Sequence, residues 1–394
     1  MNIKKVFILV AVIALVLGFY FYAKYKLHID ERAIITSLKP PAGDNAKKLP
    51  QGSDLSYPLT LPQGFRIGVF ADLKGALPRV LAFDPNGILV TSIPKQGRIV
   101  AFPDENEDGV ADKEVDILKG LDRPHGIAFS GSYIYIAETD RVIRYQYDKA
   151  KLAAIKQEVL FSLPGGGNHF TRTIKILGDK LYTSIGSSCD VCVEKDKKRA
   201  TLLVSDLDGK NLKVFAKGLR NTVFFVGDEK GRIWGTDMGR DYLGDNLPPD
   251  EINIIEEGKD YGWPYCYGKN VHDRKFDKTL YDLLPGANVC ESLGKSAAIF
   301  DLPAHVAPLG LAFDSKGDLL VAFHGSWNSS VPVGYKIVKL DVSDGKVTKM
   351  EDFITGFITD DREVLGRPVD LVFDANGTLY ISDDKAGLIY ILTR

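Results

Sequence analysis

The sequence predicts an all-β fold, a six-bladed β-propeller preceded by an N-terminal transmembrane or signal-anchor helix. Three observations lead to this: a repeated strand–turn–strand unit, abundant Gly and aromatic residues (38 Gly, 17 Tyr and 20 Phe in 394), and one apolar run at the start. Short apolar runs broken by Gly, Asp and Asn are typical of strands joined by tight turns. We therefore divide the chain into a membrane segment (1–26), a tether (27–60) and a propeller domain (61–394).

The apolar run covers residues 6–23 and has lysines on both sides. As a helix its 18 residues would extend about 27 Å, close to the thickness of a bilayer core. A cleaved signal peptide is the alternative, but the run ends in Phe21–Tyr22–Ala23, where a cleavage site needs small residues. We expect an uncleaved anchor, with the propeller on the periplasmic or extracytoplasmic side, and secretion after cleavage as the alternative.

The repeat is an apolar strand that often ends near Phe, a turn rich in Asp, Asn and Gly, and a second apolar strand. Its six copies are VLAFDPNGILVTS (80–92), HGIAFSGSYIYIAE (125–138), TIKILGDKLYTSI (173–185), VFFVGDEKGRIWGT (223–236), LGLAFDSKGDLLVAF (309–323) and VDLVFDANGTLYIS (369–382). Long strand-rich repeats fit propeller blades better than a solenoid, which would be shorter and more regular. Residues 64–72 are expected to complete the last blade, and residues 237–308 to hold a large insertion.

Charge and cysteines narrow the class of protein. The net charge is −2 and no basic stripe appears, so nucleic acid is excluded as a partner. A c-type haem site is excluded, because Val193 follows Cys192 where that site requires His. A zinc site would need further ligands nearby, and they are missing. Two structural disulfides in an exported domain are predicted instead, Cys189–Cys192 and Cys266–Cys290.

A cationic or imidazole side chain precedes the inner strand of every repeat. These positions are Arg79, Arg123 with His125, His169 with Arg172, Arg220 with Asn221, His305 with Pro308, and Arg367 with Asp370. A propeller brings these points to one end of its channel, so we expect one strongly cationic funnel. Arginine binds carboxylates in a fork and stacks on flat rings, which suits a planar polyanion. A histidine in the funnel can serve as a general base.

Seven segments within about residues 60–392 are more specific than the repeat. They are GNHFTRTI, GLRN, TDMGRDYLGDNLPPDEIN, DYGWPYCYG, APLGLAF, HGSWN and LGRPVDLVF. Together they resemble the pyrroloquinoline quinone (PQQ)-dependent sugar dehydrogenases, and especially the sorbosone dehydrogenase-like proteins. The resemblance implies a six-bladed propeller that holds PQQ and a calcium ion at the top of its channel.

The resemblance also implies roles for individual residues. His169 matches the base that takes the proton of the substrate hydroxyl while hydride passes to the quinone. Arg220 and Asn221 match the pair that contacts the quinone and polarises its reactive carbonyl. Gly239 and Arg240 fall where two backbone carbonyls bind calcium, a cation that prefers oxygen ligands.

The chain departs from the family pattern around the cofactor carboxylates. Arg367 matches one carboxylate-binding arginine, but the second, two residues later, is Val369. The lysine expected on the preceding blade is replaced by the HGSWN segment. Contacts from His324, Trp327 or His305 are predicted in its place. His125 is a further candidate cofactor contact.

A second metal site is predicted in the loop DENEDGVAD (104–112). Its ligand positions match the first part of an EF-hand: Asp104, Asn106, Asp108, the Val110 carbonyl and Asp112. Position 12 of that pattern is Val115 instead of the bidentate Glu. The alternative is a solvated acidic hairpin loop.

Three functions compete. The first is a membrane-tethered quinoprotein that oxidises an aldose or related sugar and passes electrons to a respiratory quinone, a cytochrome or a soluble acceptor. Without a Gly-rich dinucleotide motif after a strand, a bound quinone is the expected hydride acceptor. The second is a lactonase-type hydrolase, which needs axial carboxylates where the chain offers mainly Arg and His. The third is a non-catalytic binding propeller that has lost PQQ.

Overall fold

The computed structural model of the chain describes residues 59–278 and 288–393. Its strands form six four-stranded antiparallel sheets, which we call blades one to six. In chain order the strands are β1 (Arg66–Asp72); β2 (Leu81–Phe83), β3 (Leu89–Ile93), β4 (Arg98–Phe102) and β5 (Val115–Leu118) of blade one; β6 (Gly126–Ser130), β7 (Tyr133–Ala137), β8 (Arg141–Asp148) and β9 (Ala153–Ser162) of blade two; and β10 (Ile174–Leu177), β11 (Lys180–Ile185), β12 (Thr201–Asp206) and β13 (Lys213–Lys217) of blade three.

The second half of the ring continues the pattern, with an added ribbon in blade four. Its strands are β14 (Phe225–Gly227), β15 (Ile233–Asp237), β16 (Asp250–Ile255) and β19 (Phe300–Leu302) of blade four, with the ribbon β17 (Cys266–Tyr267) and β18 (Val271–His272); β20 (Pro308–Phe313), β21 (Leu319–Phe323), β22 (Lys336–Ser343) and β23 (Lys346–Ile354) of blade five; and β24 (Pro368–Phe373), β25 (Leu379–Asp383) and β26 (Leu388–Thr393) of blade six. A 3₁₀ turn (Pro94–Gln96) and a short helix α1 (Val289–Ser292) complete the described elements.

The six blades close into a ring. Each innermost strand contacts the innermost strand of the next blade, in the order β2, β6, β10, β14, β20 and β24, and β24 returns to β2. The predicted six-bladed propeller is therefore confirmed.

Blade six is built from both ends of the described chain. Strand β1 pairs antiparallel with β26, from Arg66 opposite Thr393 to Asp72 opposite Leu388. This confirms that residues 64–72 complete the last blade. A further bridge joins Thr60 to Thr355 and fastens the chain before β1 to blade five.

An aspartate shapes the hairpin turn between the first two strands in four blades. Asp84 accepts hydrogen bonds from two backbone N–H groups of its turn, and Asp228, Asp314 and Asp374 do the same in theirs. Such Asx turns satisfy the N–H groups that a tight turn leaves unpaired. They explain why the repeat carries Asp just after its first strand.

The core lies between neighbouring blades rather than in one central mass. Alternate apolar residues of adjacent sheets interdigitate, as around Trp234, which is fully buried and packs edge-to-face on Phe313 of the next blade. The Trp234 indole N–H donates to Asp228 at 2.9 Å, so its one polar atom is satisfied. Sheet-on-sheet packing of this kind holds each blade at a fixed angle.

The long insertion predicted within 237–308 is present and belongs to blade four. It separates β16 from β19, carries the β17–β18 ribbon and is closed by the Cys266–Cys290 disulfide. The insertion therefore adds its residues to one blade without breaking the ring.

The predicted membrane segment (1–26) and most of the tether (27–60) lie outside the described residues. Within 59–278 and 288–393, no helix is long and apolar enough to cross a membrane. The anchor thus stays a prediction from sequence.

Candidate active site

Buried carboxylates fix the loops that carry the candidate residues. Asp237, at the end of β15, accepts hydrogen bonds from the backbone N–H groups of Arg220 (2.9 Å) and Asn221 (2.6 Å). Asp383, at the end of β25, accepts one from Arg367 at 2.9 Å. Burial raises the pKa of Asp237 to about 6. Each loop is therefore tied to the second strand of its own blade.

His169 is held in one tautomer. Its Nδ1 lies 2.9 Å from the carbonyl oxygen of Ser187 and 3.0 Å from the Ser187 hydroxyl oxygen. A carbonyl only accepts, so Nδ1 carries the proton and Nε2 keeps a free lone pair. Burial, and then the positive charge of Arg220, lower the pKa of His169 to about 3. The imidazole is thus a neutral base at physiological pH.

His169 and Asn221 lie side by side because residue 186 is glycine. A Cβ built on Gly186 would stand 2.6 Å from the Asn221 amide oxygen and 2.7 Å from the His169 Cβ. Contacts that short would force one of the two side chains away. Gly186 therefore sets the close approach of the imidazole and the amide.

The guanidinium of Arg220 is enclosed by the loop 187–192 on one side and by Met238 on the other. Its Nε donates to the Asp190 carbonyl at 2.9 Å, its Nη2 to the Asp190 carboxylate at 2.8 Å and its Nη1 to the Met238 carbonyl at 3.3 Å. The Asp241 carboxylate is 3.5 Å away. The Arg220 side chain is only 6% exposed, so its direction is fixed.

Gly239 and Arg240, the predicted calcium ligands, follow β15 in a fastened turn. Asp250 accepts the Gly239 N–H at 2.8 Å and the Ala307 N–H at 2.9 Å, and burial raises the pKa of Asp250 to about 7. The Arg240 guanidinium turns aside to Asp273, 2.9 Å away. Among the described residues, no hydrogen bond reaches the carbonyl oxygens of Gly239 and Arg240.

The opposite wall is a linked group from blades one, five and six. The Asp384 carboxylate lies between Arg79 Nη1 (2.6 Å) and His324 Nε2 (2.8 Å). Burial alone would raise the pKa of Asp384, but these two partners hold it well below its usual range. Burial lowers the pKa of His324 to about 4. Arg367 donates to the carbonyls of His324 (3.0 Å) and Gly325 (2.6 Å).

The imidazoles of His125 and His305 both contact other groups of the protein. His125 is fully buried, with Nδ1 3.2 Å from the Thr173 hydroxyl and its ring against Phe224, and within the described residues its Nε2 has no partner. Burial holds the pKa of His125 well below its usual range. His305 Nε2 contacts the Gly244 carbonyl at 2.7 Å.

Three members of the predicted register do not line an open funnel. Arg172 is fully buried and donates to the carbonyl of His169 at 2.9 Å, so it supports the loop from beneath. Arg123 lies over the Phe170 ring on the surface. Asp370 is buried and accepts the Leu81 N–H at 2.8 Å.

The prediction of a strongly cationic funnel is corrected by three acids. Asp190, Asp241 and Asp384 stand against the arginines, so the site is closer to charge balance than the register implied. The repeat pattern missed them because they follow second strands or lie within insertions, away from the inner strands. Asp384 could have been predicted from the sequence, because it directly follows the last residue of β25 and so lies at the end of a predicted second strand.

Trp327, predicted as a cofactor contact, is 67% exposed. Its ring lies edge-to-face with that of Tyr242, with 6.1 Å between centroids, and Tyr242 is 70% exposed. Sequence reasoning did not single out Tyr242. The two rings stand at the edge of the site, since Asn328 donates to Asp241 at 2.6 Å.

Both predicted disulfides are present. The sulfur atoms are 1.97 Å apart in Cys189–Cys192 and 2.03 Å apart in Cys266–Cys290. Glu194 lies close to the first pair, but those sulfurs are bonded to each other and Glu194 accepts from Ser188. The first disulfide closes the loop that holds Arg220.

The acidic loop 104–112 folds on its own backbone. Asp104 accepts from the N–H groups of Asp108 and Gly109, Asp108 accepts from Val110, and Asp112 accepts from Glu105. The Asn106 carboxamide contacts Asp108 at 3.0 Å. A calcium ion in this loop stays a prediction, since these Asx turns also form in a solvated hairpin.

Comparison with known proteins gives concordant matches. A family model described as TrAA12-like matches residues 59–394. An uncharacterized protein of Borreliella burgdorferi is 32% identical over 362 residues, which cover 86% of this chain and 91% of that protein. The PQQ-dependent pyranose dehydrogenase of Coprinopsis cinerea is 25% identical over 409 residues, and this chain spans 55% of its length.

Two solved structures share the fold. The holo form of the Coprinopsis cinerea pyranose dehydrogenase PQQ domain superposes with a TM-score of 0.75 at 24% identity, over 86% of this chain and 98% of that one. A calcium structure of a Trichoderma reesei family AA12 enzyme gives a TM-score of 0.73 at 21% identity, with the same coverage.

Proposed function

Because the chain belongs to the TrAA12-like family, we propose that it is an oxidoreductase, a PQQ-dependent sugar dehydrogenase that oxidises an aldose or related sugar. Relatives by sequence and structure are named as PQQ-dependent sugar dehydrogenases. The strongest support for the proposal is the state of His169. His169 presents an unprotonated Nε2 beside Asn221 and Arg220, which is the arrangement that removal of a hydroxyl proton needs.

In this proposal each residue has a defined task. His169 Nε2 takes the proton of the substrate hydroxyl, and the Ser187 carbonyl holds the imidazolium that results through Nδ1–H. Arg220, fixed by Asp190, stabilises negative charge where it develops. PQQ, when bound, supplies the electrophilic carbonyl that accepts hydride.

The residues present fit a planar tricarboxylate. Arg367, Arg79 and Arg220 are cations from three blades. Arg79 and Arg220 each have acidic partners, whereas Arg367 donates to carbonyl oxygens and faces the Tyr335 ring at 5.6 Å, so its positive charge is the least balanced of the three. Val369, at the place of the family's second arginine, is fully buried in the core. Arg79 is the cation that we place in that role instead, because it meets the same wall through Asp384.

Calcium fits the carbonyl oxygens of Gly239 and Arg240. Neither oxygen is used within the described residues, and carbonyl oxygens suit a hard cation. Next to them lies a cavity of about 20 Å³, lined in part by Arg220, Asp237 and Asp273, with room for one water molecule. A Trichoderma reesei relative has been solved as a calcium structure.

We also propose that the enzyme works outside the cytoplasm. Two disulfides in one domain are typical of an oxidising compartment. The apolar run 6–23 would tether the propeller to the membrane, where a respiratory quinone or a cytochrome could receive the electrons. Fractionation of cells into membrane and soluble protein tests this: recovery in the cytosol would contradict it.

The decisive experiment is a titration of the purified full chain with PQQ and calcium, followed by addition of a panel of aldoses. We expect tight binding of PQQ and bleaching of its absorbance by at least one sugar. The His169→Ala variant should bind PQQ as before but lose bleaching, by about 10²-fold or more.

Asn168→Ala, a change at the exposed neighbour of His169, is the matched control and should retain turnover. Normal bleaching by His169→Ala would show that another group is the base. Failure of the unaltered chain to bind PQQ would overturn the proposal in favour of a non-catalytic binding propeller.

A further inference from the structure

Tyr242 and Trp327, which we call the aromatic pair, are large rings left in solvent at the mouth of the channel. They are 70% and 67% exposed, and their rings meet at 85° with 6.1 Å between centroids. Isolated exposed aromatics are ordinary on protein surfaces. Two in contact, contributed by different blades, form a shaped apolar surface.

The backbone beneath Trp327 is held on both sides. Arg367 donates to the carbonyls of His324 and Gly325, and the Tyr335 hydroxyl donates to the Ser326 carbonyl at 2.5 Å. On the other side, Asn328 donates to Asp241 at 2.6 Å. The exposed indole is therefore presented by a fixed loop rather than by a free one.

The backbone beneath Tyr242 is fixed as well. Asp241 N–H donates to the Asp190 carboxylate at 2.8 Å, and the Gly244 carbonyl meets His305 at 2.7 Å. Tyr242 itself has φ = +64°, a conformation that costs a non-glycine residue energy. The fold thus retains a strained backbone at a residue whose ring is mostly in water and packs edge-to-face on Trp327.

The surroundings of the aromatic pair are polar. Asp241, Asn328, Asp245 and Ser330 lie beside it, with Ser330 donating to Asp245. Aromatic faces with hydrogen-bonding groups around them match a pyranose ring, which has an apolar C–H face and an equatorial rim of hydroxyl groups. These groups are paired with one another, and their remaining donor and acceptor positions suit the hydroxyl groups of a sugar better than a flat apolar ligand.

The aromatic pair lies within reach of the proposed catalytic groups. Asp241, next in the chain to Tyr242, is 3.5 Å from the Arg220 guanidinium, and Asn328, next to Trp327, binds the same Asp241. A saccharide bound on the pair would therefore extend from the opening that holds His169 and Arg220.

We propose that the aromatic pair is a sugar-binding platform, on which a pyranose unit of an oligosaccharide stacks while its terminal unit occupies the site. This deepens the proposed function, on which it rests, by naming oligosaccharides as the substrate class. Preformed rings lose little conformational entropy on binding, so the platform raises affinity without moving.

Calorimetric titration of the full chain tests the proposal, with glucose and mannose against cellotriose, maltotriose and mannotriose. At least one trisaccharide should bind more tightly than its monosaccharide. Trp327→Ala should weaken that trisaccharide by about fivefold to tenfold, in line with the strength of ring contacts. Trp327→Phe should restore most of the loss, and Ile155→Ala, a change at an exposed residue of β9, should have no effect.

PQQ affinity, followed by absorbance in the same variants, separates the alternatives. A Trp327→Ala chain that loses PQQ affinity but keeps trisaccharide affinity would overturn the platform and make Trp327 a cofactor contact. Equal binding of trisaccharides and monosaccharides, or no binding of any of the five sugars, would also overturn it. If the unaltered chain does not bind PQQ, but binds a trisaccharide that Trp327→Ala no longer binds, the platform would be upheld and the dehydrogenase rejected.

Discussion

The low pKa of His169 predicts how the activity depends on pH. Burial and the charge of Arg220 lower the pKa of this imidazole to about 3, so its neutral form dominates well below pH 6. We expect kcat/KM of the PQQ-loaded enzyme to stay flat between pH 5 and 7, because the free enzyme's essential base sets the acid limb of that profile. A profile that falls to half near pH 6.5 would instead indicate a solvated histidine.

Glu251 makes a prediction about stability. Burial, and then the charge of Asp237, raise the pKa of Glu251 to about 8 from an ordinary value of 4.5. Between these values the folded state keeps a proton that the unfolded state has lost, so folding stability falls as pH rises through this window. Glu251→Gln removes that dependence, and its stability relative to the unaltered chain should increase with pH by at most about 1.4 kcal/mol per pH unit.

Urea unfolding of both proteins at pH 5, 6, 7 and 8 measures this difference. The structure accommodates the glutamine, because Glu251 accepts from Gly268 and Asn253, and the unpaired Asn253 Oδ1 can accept from the new amide. Glu257→Gln is the exposed control. A difference that does not change with pH would mean that Glu251 is ionised in the folded protein.

For individual residues of the site, the sequence predicted some side chains but not the acids that contact them. His169, Arg220 and Asn221 stood at the right register because repeats place equivalent positions at one end of a ring. Asp190 and Asp241 could not be found this way, since they come from loops whose paths depend on packing between blades. Trp327 was predicted from its motif as a cofactor contact, and this stays a prediction; its exposure and its contact with Tyr242 depend on the way blades four and five meet.

Removal of each of the two disulfides should have a different effect on stability and on kcat. Cys266–Cys290 spans 24 residues, so its removal should cost about 3–4 kcal/mol by loop entropy, whereas Cys189–Cys192 spans three and should cost about 2 kcal/mol. The smaller ring presents Asp190 to Arg220, however. Cys189→Ser/Cys192→Ser should therefore lower kcat more than Cys266→Ser/Cys290→Ser does.

Thermal unfolding and single-turnover kinetics of the two double variants check this ordering. If the Cys266–Cys290 variant lost more activity at a temperature where both remain folded, the positioning role of the small ring would be wrong. The sequence predicted both pairings from export chemistry alone. It could not predict that one of them closes the loop beside the proposed catalytic groups.

For the whole molecule, the seam between blades six and one is the critical contact. Phe70 on β1 is 2% exposed and packs edge-to-face on Tyr380 with 5.0 Å between centroids, and Phe83 of blade one contacts the same Tyr380. Phe70→Ala should cost about 3–5 kcal/mol, as for other buried phenylalanines. Phe65→Ala, where the ring is half-buried against Phe353, should cost less.

Denaturant unfolding followed by tryptophan fluorescence and by circular dichroism measures both costs. Because neighbouring blades share their cores, we expect the two probes to report one transition. Separate transitions would mean that blades unfold independently. The six repeats and the closing strand were predictable because hairpin turns and alternating strands are local signals. The angles between blades were not, since they depend on side chains such as Tyr380 that meet across the seam.

The pairing of β1 with β26 has a consequence for biosynthesis. Arg66 and Thr393 are partners, so a nascent chain carries an open edge on blade six until residues 388–393 have left the ribosome. The groups around Asp384 come from blades one, five and six, so they meet when blade six stands between its two neighbours. A chain halted before β26 therefore leaves β1 and β25 without their shared partner, and such uncovered strands are the kind of surface that chaperones and proteases recognise.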